Sequence, residues 1–176
     1  MLRSEVQPIV LLGFMGCGKS TLGRELAAVC NRPFIDLDQW VESSQKLTVS
    51  ELFARHGEHA FRELERRSLL EALNHQPPAV IALGGGAPCF GSNMIDINRR
   101  AISIFLDVSI TELVHRLSVD RSHRPLLSQL NSHEVEPFVA AKLAERRPFY
   151  EQAHHRLQGN NLAVEDLLAK LGSSVR

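Results

Sequence analysis

The sequence predicts an α/β fold with its ligands at the carboxyl edge of a sheet. Three observations predict it. Gly13-Phe14-Met15-Gly16-Cys17-Gly18-Lys19-Ser20 fits G-x-x-x-x-G-K-[ST] without a mismatch, between the apolar run Ile9-Val10-Leu11-Leu12 and a helical pattern from Thr21 to Ala28. That is the strand-to-helix context of a phosphate-binding P-loop. Further short apolar runs, at Phe34-Ile35, Ala79 to Leu83 and Ala101 to Leu106, are separated by helical patterns, as strands are when helices cross over between them. Two of these runs end in chemistry, at Asp36-Leu37-Asp38 and at Gly84-Gly85-Gly86.

A chain of 176 residues has room for one domain with a full core and not for two ordinary ones. Twenty basic and 20 acidic residues cancel, leaving no global field to attract nucleic acid or an anionic membrane. Cys17, Cys30 and Cys89 are odd in number and lack C-x-x-C spacing, against both a disulfide framework and a zinc site. Reduced thiols in a cytosol fit them. No apolar stretch approaches the ~18 residues of a membrane span. Arg3, the apolar run and Met15-Gly16-Cys17 resemble a lipoprotein signal, but Glu5 and the Lys19-Ser20 pair count against it.

In the first strand-turn-helix unit, a glycine-rich backbone from Gly13 through Met15, Gly16, Cys17 and Gly18 lets N–H groups surround a diphosphate. The helix start at Lys19, Ser20 and Thr21 adds its positive dipole end. Lys19 would reach the β- and γ-phosphates, and Ser20 would place a hydroxyl on magnesium. Cys17 is either a buried, inert thiol or one of low pKa whose oxidation closes the phosphate site.

The second apolar run delivers Asp36 and Asp38. If both lie on a strand, its two-residue period points the carboxylates to one side; a surface turn rich in aspartate is the plainer alternative. From Val49 to Leu73 the pattern is helical, with Phe61, Arg62 and Glu65 on one surface and Phe53 a segment earlier. Arg62 and Glu65 are either a solvated ion pair or, with aromatic walls, part of a pocket for a small ligand with a carboxylate and a ring. His56 and His59 flank Gly57 without a third metal ligand in recognisable spacing, and read as surface residues.

Pro77-Pro78 ends that helix, and the next apolar run reaches Gly84-Gly85-Gly86, either a flexible turn or a close backbone approach to a ligand. This strand lacks the terminal aspartate that often helps hold magnesium, so Asp36 becomes the metal candidate. After the run to Leu106 comes a helix from about Ser109 to Leu117, capped by Ser109 or Thr111. The polar stretch with Arg116, Arg121, His123, Arg124 and His133 is either a solvated loop or an arginine-bearing flap that excludes water. Val135 to Tyr150 is helical, His154 to Asn161 reads as a short edge strand and turn, and Val164 to Leu171 as a closing helix. The tail beyond Gly172 is expected to be disordered.

This order of motifs resembles the shikimate kinases from Gly13 to about Leu171. The resemblance rests on the P-loop, Asp36-Leu37-Asp38, Gly57-Glu58 with Phe61-Arg62 and Glu65, the three glycines, Arg124-Pro125-Leu126-Leu127, and Arg146 ahead of Pro148 and Tyr150. It implies a five-stranded parallel sheet of order 2-3-1-4-5 in a three-layer α/β/α sandwich of nucleoside-monophosphate-kinase type. It further implies transfer of the γ-phosphoryl group of ATP to the 3-hydroxyl of shikimate, with Mg2+. Asp38 would bind the shikimate hydroxyls near the reacting one, and Asp36 would hold magnesium through water beside Ser20. Arg62 and Arg146 would grip the carboxylate, while Gly84, Gly85, Gly86, Phe53, Phe61 and Glu65 complete the pocket. Lys19, Asp38 and Arg124 would be catalytic, with Arg124 on a lid at about 116–133 and either Arg116 or Arg121 as a second phosphate contact. The acceptor region would span about 36–65 of a single domain, 1–176, in a cytoplasmic monomer.

Two departures stand out: Ser43 to Leu47 occupies a place where a glycine is usual, and Arg156 to Asn161, which by analogy packs on adenine, lacks the usual acidic-threonine pattern. The alternative enzyme is another small-molecule P-loop kinase, acting on gluconate or a nucleoside monophosphate. A GTPase switch would need a guanine-reading Asn-Lys-x-Asp, which the sequence lacks.

Overall fold

The apolar run Ile9–Leu12 forms β1, and all four of its side chains are fully buried, as a central parallel strand covered on both faces requires. The structure is a computed structural model that describes residues 6–119 and 131–172. Around β1 lie β2 (Phe34–Asp36), β3 (Val80–Ala82), β4 (Ile102–Asp107) and β5 (His155–Gln158), in the order β2-β3-β1-β4-β5. Every pairing is parallel, with Ile9 opposite Val80 on one side and Ile102 on the other. After β1 the chain thus runs to the edge strand β2, returns to place β3 beside β1, and then crosses to build β4 and β5 on the other side. The carboxyl end of β1 is the point where strand order reverses, the usual place for a ligand crevice. The P-loop follows it directly.

The helices complete a three-layer α/β/α arrangement. Among the described residues they are α1 (Lys19–Val29), α2 (Leu37–Gln45), α3 (Val49–Leu73), α4 (Asn93–Arg100), α5 (Ile110–Val119), α6 (Ser132–Tyr150) and α7 (Val164–Leu171). β1, α3 and α7 occupy the expected bounds. Ser109 is the cap of α5, its hydroxyl accepting from the Glu112 N–H at 3.3 Å. None of these helices is long and apolar enough to cross a membrane.

Helix α3 begins with a capping box, in which Thr48 Oγ1 accepts from Glu51 N–H and Glu51 accepts from Thr48 N–H. It kinks at Gly57, where φ is 78° and ψ is 170°, a conformation that glycine adopts without a Cβ penalty. The kink divides the residues carrying Phe53 from those carrying Phe61, Arg62 and Glu65. Val41 of α2 packs with Leu52 and Phe61 of α3 in a small apolar cluster separate from the main core. This α2–α3 unit carries most of the residues expected to line the acceptor region, about 36–65.

Two expectations are corrected. Asp38 does not share a strand with Asp36: β2 ends at Asp36, which becomes the N-cap of α2, and Asp38 lies in the first helical turn. The physical reason is local, because an aspartate after a two-residue apolar run suits a helix start better than a continued strand. α2 and α4 also form where no element was read. Arg121, Arg124, most of the expected lid and the tail 173–176 lie outside the described residues.

Candidate active site

The P-loop motif, residues 13–20, runs from the end of β1 into the first turn of α1. Lys19 is buried, and its Nζ donates to the carbonyls of Gly13 and Phe14, both at 2.9 Å. The ammonium is therefore held at the loop rather than extended into solvent. Cys17 is also buried, with its Sγ 3.7 Å from Lys19 Nζ, a setting that shields the thiol from solvent oxidants. Met15 and Gly16 are partly buried, as are Gly18 and Ser20, while Thr21 is exposed in the first turn of α1. Arg116 reaches the same loop from α5: Nη1 donates to Gly16 O at 3.2 Å, Nε to Glu112 at 2.7 Å, and Nη2 to Asn160 O.

Beside the loop, Ser20 Oγ donates to Asp36 Oδ2 at 2.6 Å. One oxygen comes from the first turn of α1 and the other from the end of β2, the strand against which α1 packs. No group of three or more His, Cys, Asp or Glu side chains among the described residues could hold a metal alone. A hydroxyl and a carboxylate suit Mg2+, which keeps several waters and completes its shell with substrate phosphates. The residues fit that ion.

The acceptor side is built from the α2 start, α3, the glycine turn after β3, and α6. Arg62 Nη1 and Glu65 Oε2 pair at 2.6 Å, and the Arg62 guanidinium lies over Phe61 at 5.2 Å and Phe53 at 5.7 Å. Glu65 is 1% exposed, and its second oxygen, Oε1, has no hydrogen-bond partner. Burial raises its carboxyl to about 7, against the opposing charge of Arg62. Asp38 is also raised, first by burial and then by the charge of Asp36, with Lys19 and Arg62 working the other way. A Cβ on Gly84 would stand 2.6 Å from Asp38 Oδ1 and 2.7 Å from Glu65 Oε1, so only glycine lets the backbone pass between the two carboxyl groups. Arg62 abuts Gly86, and Arg146 Nη1 would lie 3.0 Å from a Cβ on Gly85. Two guanidiniums thus converge on the glycine turn from opposite helices, with the two buried carboxyl groups of Asp38 and Glu65 beside them.

The site therefore offers a cationic phosphate cradle, a metal-compatible oxygen pair, and an acceptor pocket able to hold a carboxylate and several hydroxyls. Two residues in it carry no role from sequence. Phe14 is 1% exposed, with its ring 5.5 Å from the Arg146 guanidinium carbon. Tyr150 is fully buried and donates its hydroxyl to Gly85 O at 2.6 Å; burial raises its phenol pKa. The variable position within the P-loop motif and the spacing from Arg146 to Tyr150 are visible in sequence, but their contacts join residues far apart in the chain. Arg156, at the start of the segment expected to pack on adenine, donates its Nε to Asp107 at 2.8 Å, beside Arg147, which pairs with Asp107 at 2.9 Å. The buried Asp107 carboxylate draws both guanidiniums inward.

Comparison with known proteins bears on this geometry. The family model for shikimate kinase matches residues 15–175. The chain is 39% identical to a shikimate kinase of Flavobacterium johnsoniae over 162 residues, 92% of this chain and 94% of that one. It is 44% identical to one from Bacteroides fragilis, over 84% and 82% of the two chains. The crystal structure of shikimate kinase from Bacteroides thetaiotaomicron superposes with a TM-score of 0.89 at 40% identity, covering 94% of this chain and 98% of that one. Shikimate kinase from Acinetobacter baumannii in complex with shikimate gives a TM-score of 0.84 at 34% identity, over 94% and 90%. A gluconokinase from Sinorhizobium meliloti, at TM-score 0.63 and 19% identity, shares the fold alone.

Proposed function

The chain belongs to the shikimate kinase family, and on that premise we propose how its residues divide the work of moving a phosphoryl group from ATP to shikimate. The activity is ATP-dependent phosphorylation of shikimate at its 3-hydroxyl. The observation that carries the division of labour is the convergence of Arg62 and Arg146 on the glycine turn, with Asp38 and Glu65 beside it.

Arg62 and Arg146 take the carboxylate as a two-armed clamp, since a guanidinium fork matches a planar carboxylate. Phe53 and Phe61 cover the ring, and the backbone of Gly84 to Gly86 closes against it. Asp38 meets the hydroxyls and orients the reacting one. In the reaction the acceptor oxygen forms a bond to the γ-phosphorus, the bond from that phosphorus to the β–γ bridging oxygen breaks, and ADP leaves with the electron pair. The hydroxyl proton passes to Asp38, whose raised pKa favours proton uptake. Lys19 leaves its hold on the loop carbonyls to neutralise charge on the transferring group. Mg2+, held by Ser20 and through water by Asp36, would supply further neutralisation at the phosphates.

Arg124, outside the described residues, is the residue assigned to the phosphates by the family resemblance, with either Arg116 or Arg121 as a second phosphate contact. Arg116 serves at the base of the loop, where its contact with Gly16 O supports a fixed position beside the nucleotide. The described site residues come from elements around one sheet, which supports a single domain, proposed to work as a monomer. Three cysteines without disulfide bonds and dependence on ATP support a cytoplasmic setting. The test is a coupled ADP-release assay with shikimate, gluconate and nucleoside monophosphates as acceptors. Turnover with shikimate alone is the expected result, and turnover with gluconate or a monophosphate in its place would reassign the pocket.

A further inference from the structure

Phe14 belongs to two sites at once. Its carbonyl accepts from Lys19 Nζ at 2.9 Å, inside the phosphate cradle. Its ring, on the same residue, lies 5.5 Å from the Arg146 guanidinium carbon, on the acceptor side. Arg146 Nη1 lies against Gly85, whose carbonyl accepts from the Tyr150 hydroxyl. The long arginine side chain needs restraint, because an unrestrained guanidinium samples many rotamers and loses the fork geometry on which two-bond carboxylate recognition depends.

We propose that Phe14 is a positioning residue for the acceptor, its ring face holding the Arg146 guanidinium in the plane that receives the shikimate carboxylate. The inference rests on the reading of Arg146 as one arm of the carboxylate clamp. An aromatic face attracts a cation through its quadrupole, and the attraction strengthens where water is excluded. Phe14 is 1% exposed, so its ring meets that condition. Because the same residue fixes part of the phosphate cradle, a shift of the P-loop backbone is transmitted to the acceptor clamp through one side chain. Simple core packing would use the ring's volume equally well and would not depend on its electron density.

Ring electronics separate the two. Phe14 is replaced by mono-, di- and trifluorophenylalanine, which drain the quadrupole stepwise with little change of shape, and shikimate binding is measured by calorimetry beside steady-state kinetics. The expected result is a stepwise rise in shikimate Kd and KM, reaching roughly 3- to 10-fold for the trifluoro ring, with melting temperature and ATP KM unchanged. The same series in an Arg146→Ala background is expected to be flat. A flat series in the wild-type background, with Arg146→Ala still losing shikimate affinity, overturns the role of Phe14 and leaves the clamp intact. A slope that persists without Arg146, or a parallel loss of ATP affinity and melting temperature, overturns it as damage to the loop. If Arg146→Ala binds shikimate normally, the clamp reading fails and this inference fails with it.

Discussion

The Ser20 hydroxyl donates to Asp36 Oδ2 at 2.6 Å, joining the first turn of α1 to the end of β2. These are the two oxygens proposed to hold magnesium beside the P-loop. Asp36→Asn keeps the shape and weakens the pair as a magnesium site. It should raise the magnesium concentration for half-maximal rate by about 10-fold or more, in line with the cost of disturbing metal ligation, with a smaller effect on shikimate binding. Titration of activity against magnesium at fixed ATP measures it. An unchanged magnesium requirement would move the metal away from Asp36.

Lys19 has its ammonium on the carbonyls of Gly13 and Phe14, so it serves the loop before it serves the nucleotide. Lys19→Met should lower kcat by about 10³-fold, because positioning and charge neutralisation dominate phosphoryl transfer. Shikimate Kd measured without nucleotide should stay within a few-fold. A variant with turnover near that of the wild type would remove the P-loop lysine from the chemistry.

The parts of this fold legible in sequence are those in which a short stretch is sufficient. Ile9 to Leu12 is apolar throughout because both faces of β1 are covered, and the adjoining motif fixes the turn that follows. α3 is legible because its periodic pattern runs for 25 residues. By contrast, α2 and α4 do not sustain an apolar stripe over two turns, whereas the equally short α7 does, with Val164, Leu167, Leu168 and Leu171 at helical spacing. The strand reading of Asp38 fails because two apolar residues ahead of Asp36 do not show where β2 stops. In the site, the residues that form motifs were legible and those that act through long-range contacts were not. The ring of Phe14 meets Arg146 and the hydroxyl of Tyr150 meets Gly85, relationships that only the folded sheet creates.

Arg62 is paired with Glu65 and flanked by Phe53 and Phe61. Losing a charge-assisted contact to the acceptor costs ~1.5–3 kcal/mol, so Arg62→Ala should weaken shikimate binding ~10- to 100-fold. Arg62→Lys should restore part of it, since an ammonium lacks the planar fork. ATP affinity without shikimate should barely change. Calorimetry with each ligand alone reads both; a loss of ATP binding with shikimate unaffected would reverse the assignment of the two subsites.

Glu65 ties stability to pH in a direction opposite to that of an ordinary surface carboxylate. Its folded-state pKa is raised from 4.5 to about 7, so the folded chain retains a proton that the unfolded chain has released. The stabilising contribution is full below about pH 4.5 and is lost as pH rises through about 7, on the order of 3 kcal/mol at ~1.36 kcal/mol per pH unit. Asp38, also raised, acts in the same direction. Glu65→Gln cannot titrate, and its amide can still meet Arg62. Denaturant melts between about pH 5 and about pH 8 should therefore show a flatter fall in stability for the variant than for the wild type. Equal slopes would mean that Glu65 is ionised throughout.

Asp38 stands in the first turn of α2, separated from Glu65 by the bare backbone of Gly84. Its pKa is raised by burial and by Asp36, which suits a group that must collect a proton. A general base contributes ~10²–10⁴ in rate, yet a loose phosphoryl-transfer transition state needs little deprotonation early in the reaction. The alternatives are a base that takes the hydroxyl proton and an acceptor that only fixes the hydroxyl's direction. Asp38→Asn keeps the size and one oxygen while removing charge and basicity. If the proton goes to Asp38, kcat should fall at least ~100-fold, with the magnesium requirement unchanged and the acidic limb of the kcat profile lost. If Asp38 only orients the acceptor, the variant should turn over within a few-fold of wild type with a raised shikimate KM. Steady-state kinetics across pH and magnesium distinguish the two, and a magnesium phenotype in Asp38→Asn that is missing from Asp36→Asn would exchange the roles of the two aspartates.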